Sequence, residues 1–104
     1  MSNYLLAYTG GAQLSTPEEQ AEAMAAWGAW FGALGGAVVD GGNPVGAAVS
    51  IAADGSTATG GASGLTGYSI LSADSLAVAV DLAKGCPLLP SGGSVEVYEI
   101  VPAM

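Results

Sequence analysis

Asn-Tyr-Leu-Leu-Ala-Tyr, residues 3–8, is the stretch that decides the fold. Successive side chains of a strand point to opposite faces. Here both sets are apolar, with Tyr4, Leu6 and Tyr8 on one face and Leu5 and Ala7 on the other. A strand of this kind is covered on both sides in the folded protein. The stretch therefore predicts a β-sheet in which neither face is left to water.

The first helix after this strand has a clear start. At residues 16–19, Thr16 supplies a capping hydroxyl, Pro17 takes the first helical position and Glu19 is the reciprocal acid at the third. An apolar stripe follows at helical spacing, with one further aromatic residue beside it: Met24, Trp27, Phe31 and Leu34, and Trp30. The glycines at 35–36 are expected to end the helix.

The second helix is predicted to begin at Ser72 as the cap, with Asp74 in its first turn. Its expected buried stripe is Leu76, Val80 and Ala83, together with Ala79. Lys84 suits the negative end of this helix, and Gly85 and Pro87 close it.

The remaining segments read as strands. They are residues 37–40, 45–52, 56–59, 65–71 and 94–101, with an Asp54-Gly55 pair that favours a tight hairpin turn. The order is β-α-β-β-α-β with an extra central hairpin. This order predicts a single α+β domain over residues 1–104, with both helices on one face of an antiparallel, ferredoxin-like sheet.

That arrangement leaves one apolar sheet face bare. The simplest cover is a second copy of the chain. We therefore expect a homodimer in which two sheets face each other as a dimeric α/β barrel.

Composition limits the partners and the location. Of 104 residues, 51% are hydrophobic and 10% charged, and nine acids against one base give a net charge of −8. Nucleic acid and anionic lipid would repel such a chain. No apolar run reaches the roughly 18 residues of a membrane span. The lone Cys86 and an N-terminus without a leader pattern favour the cytoplasm.

Several stretches in order resemble the YCII-related (DGPF-type) family. They are the Tyr-Leu-Leu-Ala-Tyr strand at 4–8, the Ser-Thr-Pro-Glu-Glu cap, Trp-Gly-Ala-Trp at 27–30, Gly-Tyr-Ser-Ile-Leu at 67–71, Ala-Lys-Gly-Cys-Pro at 83–87 and Ser-Val-Glu-Val at 94–97. The resemblance covers nearly the whole chain, and it implies a dimeric α/β barrel of two ferredoxin-like sheets.

The chain departs from that family at the proposed chemistry. Residues 59–64, Thr-Gly-Gly-Ala-Ser-Gly, stand where the Asp-Gly-Pro-Phe motif belongs, and the His-Asp pair of some relatives is absent because the chain has no histidine. Without histidine there is no imidazole base or imidazole metal ligand. The aspartates are far apart in sequence, so neither a metal nor a cofactor is expected.

One candidate site remains. We expect Tyr8, Trp27, Trp30 and Tyr68 to meet at one end of the sheet as an apolar ligand pocket, beside Asp40 at the end of the second strand. Asp40 is either a general acid or base at the pocket mouth or, the favoured interpretation, a cap on its own glycine turn. The predicted function is accordingly a non-catalytic module that binds a small hydrophobic ligand or a partner protein. The alternative is an isomerase- or lyase-like enzyme using Asp40 and a tyrosine.

Overall fold

The chain folds around one four-stranded sheet with two helices. The computed structural model describes residues 1–11 and 15–102, and within them the elements follow in this order: β1 (Ser2–Thr9), α1 (Pro17–Leu34), a short 3₁₀ turn (Gly35–Ala37), β2 (Val38–Asp40), β3 (Val49–Ile51), β4 (Thr57–Thr59), β5 (Leu65–Ala73), α2 (Leu76–Ala83) and β6 (Ser94–Glu99). The predicted α+β class is confirmed.

The strands form two antiparallel sheets. The larger has the order β2-β5-β1-β6, so β1 is central, and Leu6 pairs with Ser69 on one side and Val97 on the other. The smaller sheet is the hairpin of β3 and β4 alone, with Val49 opposite Thr59. Neither sheet closes into a barrel within the described chain, so a closed barrel would need a second copy.

One face of the larger sheet carries the core. Tyr4, Leu6 and Tyr8 of β1 are buried there, as the alternation of the strand predicts. Leu6 and Tyr8 pack with Trp30 of α1 and Ala83 of α2. This face is therefore the one that the helices cover.

The predicted start of α1 is confirmed. The Thr16 hydroxyl accepts a hydrogen bond from the Glu19 backbone N–H at 3.1 Å and donates to the Glu19 carboxylate at 3.3 Å. Pro17 occupies the first helical position, where a missing N–H costs nothing.

The predicted start of α2 is wrong by three residues. β5 continues through Ser72 to Ala73, and Ser75 caps the helix by accepting from the Val78 N–H at 3.2 Å. Ser72 and Asp74 thus lie before the helix. Ser72 pairs with Asn3 of β1, and this pairing extends the strand past the residue where a capping hydroxyl was expected.

Two members of the predicted helical stripes are exposed. Met24 is 76% exposed and Leu76 is 48% exposed. Each lies in the N-terminal part of its helix. In α2 the buried contacts are made by Ala79 and Ala83 instead.

The other face of the larger sheet has no layer over it in the described chain. Strand pairing places Leu5 beside Ile70 and Tyr98, with Leu5 and Ile70 half-buried and Tyr98 51% exposed. We call this surface the open face; it also holds the half-buried Tyr68, the buried Ala7 and, paired with Ala7, the exposed Glu96. Among the described residues, neither helix has the length and apolarity to cross a membrane.

Candidate functional site

A cavity of about 600 Å³ lies between α1, from Gln20 to Phe31, and the sheet. Its aromatic wall is formed by Tyr8, Trp27 and Phe31. The rest of the lining comes from Gln20, Ala23 and Met24 of α1, the turn at 41–44, residues 66–69 of β5, and Leu88. The described lining residues include no carboxylate and no amine.

The two helices create this space because they pack at different heights. α2 meets the sheet through alanines, so its backbone comes close to β1, β5 and β6. α1 instead rests on large rings. The ring of Trp27 meets that of Tyr8 edge-on, with the ring centroids 5.2 Å apart. The ring centroids of Trp27 and Phe31 are 5.9 Å apart. Between Gln20 and Phe31, α1 therefore overhangs the sheet and leaves the cavity beneath it.

A short chain of hydrogen bonds crosses the cavity lining. The Tyr8 hydroxyl donates to Ser69 Oγ at 2.7 Å, and Ser69 Oγ donates to the Gly41 carbonyl at 2.7 Å. Ser69 is fully buried and Tyr8 nearly so. Since the single proton of Tyr8 is used on Ser69, its oxygen is left with lone pairs that can accept a hydrogen bond.

The environment of Tyr8 keeps its proton in place. Burial raises the pKa of Tyr8 from 10.0 to about 12, against the opposing effect of the Ser69 hydrogen bond and with a smaller raising effect from Cys86. At neutral pH the residue is a neutral phenol. It is thus a polar contact for a ligand and not a base.

Close packing of backbone sets the position of the turn at 41–44. Gly42 has φ +74°, and a Cβ there would overlap the Tyr68 carbonyl. Only glycine allows this approach, because it has no Cβ and adopts positive φ at little cost. The Asn43 carbonyl then accepts from the Tyr68 N–H at 3.3 Å, which ties the turn to β5.

The two tryptophans predicted to line the pocket lie in different environments. Trp27 is on the cavity wall as expected. Trp30 is outside the lining and buried in the core, where its Nε1–H donates to the Leu82 carbonyl at 3.2 Å and joins the two helices.

Asp40 is exposed and takes no part in the cavity lining. Its Oδ1 accepts from the Gly42 N–H at 2.8 Å, which is the turn cap that this residue type favours before glycines. Tyr68 borders the cavity. Strand alternation, however, places its side chain on the open face, opposite that of Ser69, so we assign its cavity contact to its main chain.

The sequence interpretation missed Ser69 and the role of Met24. Ser69 was detectable, because it is the polar member of an inward-facing series that also holds Leu71 and Ala73. Met24 shares a helix face with Trp27, but it lines the cavity and is not packed in the core.

In the part of the chain that the structure describes, no three His, Cys, Asp or Glu residues come close enough to hold an ion. Burial raises the pKa of the free Cys86 thiol, which packs in the core beside the cavity.

No family model matches the sequence, and no curated protein matches it.

Proposed function

We propose that this chain is a non-catalytic binding module whose cavity takes a small, uncharged aromatic ligand. The observation that carries the proposal is the Tyr8–Ser69–Gly41 hydrogen-bond chain among aromatic rings. The volume of about 600 Å³ suits a small organic molecule. An ionic ligand would lose its hydration there without a described counter-charge on the wall, which makes its binding costly.

The lone pairs of the Tyr8 oxygen, to which no side chain of the described residues donates a hydrogen bond, define the polar part of the ligand. A ligand that donates a hydrogen bond, such as a phenol or an indole, fits this acceptor. Its ring would pack against Trp27 and Phe31, where offset or edge-on contacts between rings are favourable.

The enzyme alternative has no observation in its favour. The Asp40 carboxylate is occupied by its own turn. Tyr8, with a pKa of about 12, holds its proton at neutral pH and is a poor base.

The proposal includes a ferredoxin-like, YCII-related chain that acts as a homodimer in the cytoplasm. The sheet order β2-β5-β1-β6, with α1 after β1 and α2 after β5, supports the ferredoxin-like topology. The open face supports the second, since Leu5, Ile70 and Tyr98 form an apolar patch of the kind that marks an interface.

The ligand class is tested by titration calorimetry with 1-naphthol and its carboxylate analogue, 1-naphthoate. We expect 1-naphthol to bind at least about tenfold more tightly, because only the anion loses the hydration of a charge. Tyr8→Phe should weaken 1-naphthol binding by about fivefold, the worth of one hydrogen bond of roughly 1 kcal/mol.

Tyr4→Phe is the matched control. Tyr4 lies on the same face of β1 but belongs to a separate core cluster, so this variant should bind 1-naphthol like the wild type. Equal affinity for both probes, or an equal loss in Tyr4→Phe, would contradict the proposed site.

A further inference from the structure

The segment of residues 45–64, which we call the arm, is almost entirely exposed. Of its residues only Ser50 is half-buried. Its strands β3 and β4 pair with each other and with no strand of the larger sheet. The chain has a radius of gyration of 15.1 Å, whereas a compact domain of this length has about 13 Å.

The arm nevertheless has a defined conformation. At its tip, Asp54 Oδ1 accepts from the Ser56 N–H at 2.9 Å and from its hydroxyl at 2.7 Å. These bonds lower the pKa of the Asp54 carboxyl. At its root, the Val45 N–H donates to the Thr66 carbonyl at 3.0 Å. The arm is thus a formed hairpin and not an unstructured linker.

One side of the arm is apolar and uncovered. The register places Val49 opposite Thr59 and Ile51 opposite Thr57, so these four β-branched side chains share a face. Val49 is 66% exposed and Ile51 is 73% exposed. A two-stranded hairpin is only marginally stable in water by itself, so this face is expected to be covered in the functional state.

We infer that the arm docks, through Val49 and Ile51, on the open face of a second copy of this chain. The inference rests on the proposed homodimer and names the element that holds it. The same chain carries both an uncovered arm with Val49 and Ile51 on one side and an uncovered sheet face on which Leu5, Ile70 and Tyr98 lie beside the carboxylate of Glu96. Two such chains related by a two-fold axis cover both surfaces at once, since each arm meets the other chain's sheet.

Charge and size fit this occupant. Each chain carries a net charge of −8, but the arm has Asp54 as its single charged residue. The arm is therefore the part of the chain that meets an acidic copy with least repulsion. Each strand of the arm is three residues long, about 10 Å, which fits within the 44 × 41 Å breadth of the partner chain.

The test is sedimentation equilibrium of the wild type and of the double variant Val49→Thr, Ile51→Thr. Threonine keeps the β-branched shape and strand preference but removes apolar surface. We expect a dimeric wild type and a dissociation constant raised at least about tenfold in the variant. Circular dichroism and 1-naphthol binding should stay as in the wild type.

Ala58→Thr is the control, because Ala58 lies on the opposite side of the arm, paired with Ser50. It should dimerise like the wild type. A double variant that dimerises as tightly as the wild type would overturn the role of the arm and leave the dimer standing. A monomeric wild type would remove the proposed dimer and the arm's docking site together, whatever the outcome of the naphthol titration.

Discussion

Ser69 shows how one buried hydroxyl organises the site. It accepts from Tyr8 and donates to the Gly41 carbonyl, so it links β1, β5 and the turn after β2. A buried hydroxyl without partners would cost stability, and here its proton and a lone pair are both used. The position of the turn at 41–44 is thereby coupled to the ring of Tyr8.

Tyr8 gives a prediction about stability at alkaline pH. Its pKa is 10.0 in a model phenol and about 12 in the folded chain. The folded state thus binds the proton more tightly, so the stabilisation is fully present below pH 10 and is lost as the pH rises from 10 to 12. Between pH 10 and 12, ionisation of Tyr8 lowers the free energy of unfolding by up to roughly 1.4 kcal/mol per pH unit.

Urea denaturation at a series of pH values measures this loss. Burial raises the pKa of Cys86, and the Glu96 hydrogen bond raises that of Tyr98, so both add losses of the same sign. These losses remain in Tyr8→Phe, which should therefore show a shallower decline than the wild type above pH 10. Tyr4→Phe keeps the Tyr8–Ser69 pair and should follow the wild type. Parallel declines in all three proteins would contradict the assignment to Tyr8.

At the residue scale, alternation and local turn chemistry were the predictable part of the site. They placed Tyr8 and Trp27 near one end of the sheet and Asp40 in a turn. They did not separate Tyr68 from Tyr8 by face, because the partner register of β5 is a long-range property. The function of Trp30 as a link to Leu82 likewise depends on contact between two helices distant in sequence.

At the scale of elements, the two helices differ in how their ends are specified. α1 has a proline, a capping hydroxyl and a following acid, and these local signals fixed its start correctly. α2 has serines at positions 72 and 75, and each is a suitable cap. The choice is made by the pairing of β5 with β1, which continues through Ser72 and Ala73. Sequence alone does not show that pairing.

The two serines make the start of α2 testable. Ser75→Ala should lower the free energy of unfolding by about 1 kcal/mol, because the Val78 N–H loses its acceptor. Ser72→Ala should change it by less than about 0.5 kcal/mol, since no helix N–H depends on that side chain. Chemical denaturation of both variants measures the difference. A larger loss in Ser72→Ala would restore the cap that the sequence predicts.

At the scale of the whole molecule, charge opposes the proposed association while apolar surface drives it. Lys84 is the single basic residue of the chain. Its Nζ lies 3.4 Å from Oδ1 of Asp81 in α2, so this positive charge is already paired within the chain. Two copies therefore repel each other at separations up to about the screening length, beyond which dissolved salt suppresses the repulsion.

The dimer should consequently strengthen with salt. Raising NaCl from about 10 mM to about 150 mM shortens the screening length from roughly 30 Å to roughly 8 Å. We expect the dissociation constant from sedimentation to fall by about threefold or more. Sucrose at matched osmolality is the control for effects other than screening. A dimer that weakens in salt would point instead to ion pairs between the chains.

The unequal heights of the two helices have a consequence for specificity. α2 approaches on alanines, whereas α1 is held off by the rings of Trp27 and Phe31. The height of the cavity between α1 and the sheet is then set by the side chains of Trp27 and Phe31. A smaller side chain at either position would bring α1 closer to the sheet and make the cavity shallower. Variants of this chain with the same fold would thus have cavities of different height through changes in one helix, without any change in the strands below.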